Sequence, residues 1–332
     1  MRNPFGIRVH PLRAPMQRGG RSGVLTLAPA PGIRGQAQGK AKQMQPEWIA
    51  VDQDGHKIAA YAMRGDTVLA RHSAAGLNDL PWDMAPGTMI LVNGAAPSPA
   101  NYTIVPAAPL GAGFLRSMDH QGPGDVYYIN GLQQKAPAAV MNGPACAIAG
   151  FLAAHPGWDG VVCLVGDDSI WAQISANEVV SFQSFVTGRL CRLLWQEAGL
   201  LPGGGALPDA DTDISASDGF DPDLFLSSLQ NTLARPERLA AHLAEHQAQA
   251  LLTGGVLPRE ALLGATIGAE LAAAKPYWLG QNLALIGDHD ACAPYAAALG
   301  AQGAPVTIAE GAQMRLAGLI AARHLAAGGQ AA

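Results

Sequence analysis

The stretch Trp48–His72, WIAVDQDGHKIAAYAMRGDTVLARH, limits the possible folds more than any other part of this sequence. Ile49–Val51, Ile58–Met63 and Thr67–Arg71 are rich in β-branched and aromatic residues and are separated only by turn signals. Asp54-Gly55 suits a tight hairpin, which needs positive φ at its central residues, and Arg64-Gly65-Asp66 turns the chain again. Connections this short join antiparallel strands only, so the run predicts a three-stranded meander.

Downstream, apolar runs and breakers alternate. Thr88–Val92 and Asp125–Ile129 read as strands, the first reached through a segment broken by Pro81 and Pro86. Ala138–Ala154 contains a helix whose first turn Pro144 marks. Gly160–Gly166, GVVCLVG, is a continuous apolar run, as a strand buried on both faces requires. Asp167-Asp168 turns the chain into Ile170–Ile174, and Thr187–Ala198 is an amphipathic helix. The loop from Leu201 to Asp223 spaces aspartates like a calcium loop, but Ile214 stands sixth from Asp209 and Phe220 twelfth, where Gly and Glu belong. Helices fill Asp223–Ala274 with breaks near Pro236 and Gly254. A strand at Asn282–Gly287, a helix capped by Asp290, a strand at Val306–Ala309 and a helix over Ala312–Ala326 complete the chain. Alternating strands and helices give an α/β class, and the two halves, each opening on a hairpin, predict a duplicated fold with a ligand cleft between the halves.

Composition removes several function classes. The chain is 49% hydrophobic and 14% charged, which fits a well-buried globular protein. No apolar run approaches the roughly 20 residues that span a bilayer. Cys146, Cys163, Cys191 and Cys292 are scattered and form no C-x-x-C pair, so they read as buried free thiols of a reducing cytoplasm rather than metal ligands or disulfides. Eight of the 21 basic residues precede Glu47, whereas all 26 acidic ones lie at or beyond it. The first 46 residues therefore read as a basic, Gly/Pro-rich extension; it lacks the aromatic interleaving of a nucleic-acid binder and the apolar core of a secretory signal. No G-x-x-x-x-G-K-[ST] loop, G-x-S-x-G elbow or H-E-x-x-H helix is present.

Particular words of the sequence then narrow the field: VMNGPACAIAGFLAA from Val140, VGDDSIWAQI from Val165, SFQSFVTGRLCRLL from Ser181, LPREALLGATIGAELAA from Leu257 and LALIGDHDACAPYAAALGAQGAPV from Leu283. With the layout around them, they resemble the 2-dehydro-3-deoxygalactonokinase family of the sugar-kinase, Hsp70 and actin-like superfamily, from about Trp48 to Ala326. The resemblance implies two ribonuclease H-like (actin-like ATPase) domains with an interdomain cleft, over residues 47–157 and 158–328 behind an extension over 1–46. It also implies a cytoplasmic phosphotransferase of galactonate catabolism, passing a phosphoryl group from ATP to a 2-keto-3-deoxy sugar acid. Mg²⁺ and ATP are its cofactors. A sugar acid and a nucleotide are its partners, with neither membrane nor nucleic acid among them and a homodimer left open.

Carried over by position, the nucleotide side comprises Asp52, Gly55, Lys57, Gly166, Asp167 and Gly287, with Asp52 holding Mg²⁺ through water and Asp168 as a second metal candidate. Asp52, Asn142 and Gly143 are the catalytic and substrate-side positions. At these places the sequence departs from the family pattern. The first phosphate turn, D-x-G-S-T-N, has become Asp52-Gln53-Asp54-Gly55-His56-Lys57; Asp167 and Asp168 replace a Thr and a His in the second turn. The R-G-E-E-T-Q start of the catalytic helix has become Asn142-Gly143-Pro144-Ala145-Cys146-Ala147, and Arg189 stands in place of a Glu. A carboxylate about 4 Å from a phosphate charge repels it by about 1 kcal/mol in water and about 4 kcal/mol at an effective dielectric of 20, so the acidic turns oppose polyphosphate binding. Two readings follow: a sugar-acid kinase, or a non-catalytic relative that binds a metabolite or partner.

Overall fold

The computed structural model describes residues 45–54, 57–94, 102–111, 113–118, 120, 122–199 and 220–329, with the side chains of 54, 57, 196–199 and 328–329 left aside. Nearly all of the predicted basic extension and most of the calcium-like loop lie outside this set. The strands are β1 (Trp48–Asp54), β2 (Lys57–Arg64), β3 (Thr67–Ala74), β4 (Met89–Asn93), β5 (Thr103–Ile104), β6 (Phe114–Arg116), β7 (Asp125–Ile129), β8 (Leu132–Gln134), β9 (Ala139–Met141), β10 (Gly160–Leu164), β11 (Ser169–Ser175), β12 (Glu178–Phe185), β13 (Leu283–Gly287) and β14 (Val306–Glu310). The helices are α1 (Gly143–Ala154), α2 (Thr187–Gly199), α3 (Pro222–Ala234), α4 (Leu239–Leu252), α5 (Arg259–Ala273), α6 (Lys275–Trp278), α7 (His289–Ala301) and α8 (Gly311–Gly329).

Two sheets repeat one plan. Their orders are β3-β2-β1-β4-β7-β6 and β12-β11-β10-β13-β14: each opens with a meander and sets its fourth strand beside its first. The chain divides into two compact units, whose described residues fall in 45–92 with 116–127, and in 93–115 with 128–329.

In the first unit the meander forms as the sequence predicts. Gly65 adopts φ +52°, and the Trp48 indole N–H donates to its carbonyl at 2.8 Å, so a buried aromatic pins the turn between β2 and β3. In the ladder of β1 and β2, Asp54 is paired with Lys57. Asp54 is therefore a strand residue that closes the ladder rather than a turn residue, and Gly55 and His56 lie outside the described residues. Between β3 and β4 only a single short 3₁₀ turn forms, at Leu77–Asp79.

In the second unit the central strands explain their own composition. Val161 and Cys163 of β10 enter a core with Phe225 and Leu229 of α3, Leu271 of α5 and Tyr295 of α7. Val162 and Leu164 enter another with Ile148 and Phe151 of α1. Side chains alternate across a strand, so helices on both faces demand the unbroken apolar run. Pro144 occupies the first turn of α1, as predicted. Two helix pairs pack backbone to backbone. A Cβ at Gly264 or Gly268 would lie 2.3 Å from Phe225 O or 2.5 Å from Leu229 O, and one at Gly150 or Gly318 would lie 1.9 Å from Met314 O or Cys146 O. The four-residue spacing of Gly264 and Gly268 reflects that approach.

Two features differ from the sequence reading. The first turn of α7 contains Asp290, while Asp288 takes the N-cap position without a side-chain hydrogen bond; Asp290 is therefore not the cap. Strand β12 follows a turn at Ala176-Asn177, both at positive φ (51° and 62°). That turn carries no glycine to announce it, although Asn tolerates the conformation.

Candidate functional site

The predicted nucleotide-side residues of the second unit converge. Strands β10, β13 and β14 are parallel neighbours, and β10 runs into the turn Gly166–Asp168, β13 into Gly287 and Asp288, β14 into Gly311. The Val165 amide donates to Ile286 O at 2.8 Å, a Cβ at Gly287 would lie 2.7 Å from Val165 O, and one at Gly311 would lie 3.1 Å from Gly287 Cα. Helices α7 and α8 start there. First-turn N–H groups and helix dipoles directed past the carboxyl ends of parallel strands form the usual ligand position of an α/β sheet.

The acidic turn is not an open repulsive wall. Arg189 and Arg192, one turn apart on α2, reach Asp168 and Asp167. The Arg189 guanidinium donates to Asp168 through Nε at 3.2 Å and through Nη2, and Arg192 Nη1 pairs with Asp167. The bond to Asp168, and then its charge, hold the Arg189 guanidinium even more firmly protonated than usual. These exposed pairs contribute little stability, but they cancel two of the charges that would oppose a phosphate. The repulsion expected from the sequence is therefore reduced. The Arg189 amide also donates to Asp167 O at 2.7 Å, and a Cβ at Gly188 would lie 2.3 Å from Gly166 O. The turn thus takes up one first-turn amide of α2 and lies against the bare backbone of Gly188.

Behind the turn lies a buried polar centre that sequence reasoning left to the fold. The Glu270 carboxyl, 3% exposed, accepts from Ser169 Oγ at 2.7 Å, Trp171 Nε1 at 2.8 Å and the Tyr295 hydroxyl at 2.8 Å. Ser169 directly follows the acidic turn and Tyr295 lies in α7, so one carboxyl ties α5 to both segments. Burial and the nearby Glu270 raise the Tyr295 phenol and the Cys163 thiol well above their ordinary values. Burial also pushes Cys191 to about 11 and Cys292 to about 12. All four cysteines are free and buried, and the three whose values shift are held as thiols rather than nucleophilic thiolates.

Asn142 and Gly143, predicted to lie on the substrate side, stand at the start of α1. Asn142 takes the N-cap position without a side-chain cap bond. A Cβ at Gly143 would lie 3.5 Å from Asn93 Nδ2; one at Gly131 would lie 2.8 Å from Asn142 Oδ1 and 3.0 Å from Tyr102 Cε1. Asn93 and Asn130 are buried. The Cys146 thiol is committed to Arg315 O. In the first unit, Asp52 is buried on β1, paired in register with Ala59. Lys57 is the first residue of β2, and His289 and Asp290 are exposed. Among the described residues no group of three or more His, Cys, Asp or Glu side chains is placed to hold a metal ion. No described helix is long and apolar enough to cross a membrane.

Two sheets built on one repeated plan, in an α/β chain with helix starts gathered at strand ends, define the actin-like class that includes sugar kinases. The closer assignment comes from a family profile described as 2-keto-3-deoxy-galactonokinase, which matches residues 54–322; this chain belongs to that family. A crystal structure from Sinorhizobium meliloti described as a 2-dehydro-3-deoxygalactonokinase shares the fold. It has 22% identity and a TM-score of 0.69, over 84% of this chain and 99% of that one. More distant are an activator of 2-hydroxyisocaproyl-CoA dehydratase from Clostridium difficile (10% identity, TM-score 0.42, 85% and 96% covered) and a glucokinase from Streptomyces griseus (16%, 0.35, 83% and 99%). No curated protein sequence matches the chain.

Proposed function

We propose that this protein is a sugar-binding member of its kinase family that transfers phosphoryl groups from ATP slowly or not at all. One observation carries the reading: the start of α1, Asn142-Gly143-Pro144-Ala145-Cys146-Ala147, offers no group able to take a proton from a substrate hydroxyl. The single thiol in it is buried and bonded to a backbone carbonyl. Loss of a general base costs about 10²–10⁴-fold in rate, which leaves little of the roughly 1–100 s⁻¹ typical of kinases. Free buried thiols support a cytoplasmic setting. The test measures ADP formation from MgATP with 2-keto-3-deoxygalactonate. Negligible turnover is expected; turnover at ordinary kinase rates that Asp52→Asn abolishes would refute the proposal.

A second reading, retained kinase activity, is favoured by the pairing of Asp167 and Asp168 with arginines and by the buried Asp52. In that case backbone N–H groups at the starts of α7 and α8 would hold the phosphates of ATP. Within its own unit, Asp52 would offer a carboxylate to Mg²⁺. The glycine backbones at Gly287 and Gly311 support such a ligand position. A melting shift of several degrees with MgATP, absent with ATP alone, would establish this reading.

A further inference from the structure

We propose that Asn142 is a site of spontaneous covalent modification: its side chain closes onto the Gly143 nitrogen, sheds ammonia and opens to aspartate and isoaspartate. The inference goes beyond the reading of function above and stands whether or not the protein transfers phosphoryl groups.

Asparagine followed by glycine is the labile arrangement, because glycine leaves its nitrogen unshielded. The sequence contains three such pairs, Asn93-Gly94, Asn130-Gly131 and Asn142-Gly143. The fold treats them differently. Asn93 and Asn130 are 1% and 7% exposed, and a Cβ at Gly131 would lie 2.3 Å from Met141 O, so the backbone there is hemmed in. Asn142 and Gly143 are half-buried, which admits water. Asn142 stands at the N-cap without the side-chain bond that would hold its amide against α1. Its ψ is −93°. Seen along the Cα–C bond, the substituents of Cα lie about 120° apart, so this ψ brings the Gly143 nitrogen almost into line with Cβ. A helical ψ of about −42° or a strand ψ of about +135° would leave it well to one side. The backbone is therefore already turned toward the five-membered ring, and the Gly143 N–H is among the first-turn groups that have no partner inside the helix.

The reaction needs only water. Hydroxide removes the Gly143 N–H proton, and the nitrogen attacks Asn142 Cγ. The new N–C bond forms as the side-chain amide C–N bond breaks, and ammonia leaves with a proton from solvent. Water then opens the imide, its OH going to a carbonyl carbon and its hydrogen to the nitrogen. Attack at Cγ restores the ordinary chain as aspartate. Attack at the main-chain carbon leaves the chain running through Cγ, as isoaspartate. Either product gives residues 142–147 their first carboxylate, at the positive end of α1.

The test incubates the full chain at mildly alkaline pH and maps it by peptide mass spectrometry, which reads the mass gain of amide-to-acid conversion. Labelling with an isoaspartyl methyltransferase detects the rearranged product. Asn142 should convert at least about tenfold faster than Asn93 or Asn130, which react only through local opening. In the urea-unfolded chain the three rates should converge, because only the fold separates them. Gly143→Ala should slow conversion at Asn142 about tenfold or more, since its methyl shields the nitrogen. The added carbon would meet only the Asn93 side chain, at 3.5 Å or more, so the fold persists, which circular dichroism checks. Three results overturn the inference: conversion at Asn142 no faster than at the two buried sites, no conversion in the folded chain under conditions that convert the unfolded one, or a Gly143→Ala rate equal to that of the wild type.

Discussion

Replacing Glu270 by Leu gives a direct measure of how much the second unit depends on its buried polar centre. Leu fills a similar volume but leaves Ser169 Oγ–H, Trp171 Nε1–H and the Tyr295 hydroxyl without their acceptor, in a region where Glu270 is 3% exposed and Trp171 wholly buried. An unpaired buried donor costs about 1–3 kcal/mol, so three sum to about 3–9 kcal/mol. Partial relief by added apolar burial and by hydroxyl rotation reduces this to about 3–6 kcal/mol. At about 2–4 °C per kcal/mol for a unit of this size, melting should fall by about 6–24 °C in a calorimetric scan. Glu270→Gln provides the internal control. Its amide oxygen can still accept from Ser169 and Trp171, and its NH₂ can donate to the tyrosine oxygen, so the loss should stay below about 2 kcal/mol. If Leu proves no worse than Gln, the three hydrogen bonds do not hold the unit together, and the account of Glu270 as the tie between α5, the acidic turn and α7 fails.

At the crossing of α1 and α8, Gly318→Ala would place a methyl carbon 1.9 Å from Cys146 O, and neither backbone can yield without parting the helices. Overpacking of this kind should cost about 3 kcal/mol, against a gain below about 1 kcal/mol from removing a helical glycine, and lower the urea midpoint. On α4, His246 is held below its ordinary 6.5, chiefly by burial and secondarily by His242, with Glu245 opposing. Its Nε2 faces Ser228 Oγ of α3 at 3.2 Å. The depressed value means that its contribution to stability is complete above pH 6.5 and is lost as pH falls through the folded-state value. His246→Gln should therefore flatten the acid side of a stability-versus-pH curve, and an unchanged acid limb would contradict this assignment.

Legibility of the candidate site varied with how far apart its parts lie in sequence. The start of α1 was readable because proline at a first helical turn acts locally, and the missing proton acceptors are consecutive residues. The turns Gly166–Asp168 and Gly287–Asp288 were readable because each follows an apolar run that ends abruptly. The charge state of the acidic turn was not. Arg189 and Arg192 lie more than twenty positions beyond their partners, and only the antiparallel return through β11 and β12 brings α2 back to the turn.

Sequence alone determined the opening meander from its turn residues, doubly buried strands from runs such as GVVCLVG, and the start of α1 from Pro144. These signals are local, since backbone dihedrals and side-chain alternation repeat every two to four residues. Tertiary structure alone decided which charges neutralise each other, which carboxyl anchors the core, and that residues 116–127 pack with the opening meander. Those outcomes depend on distances closed across tens to more than a hundred residues, such as the 101 between Ser169 and Glu270, and no local period encodes them.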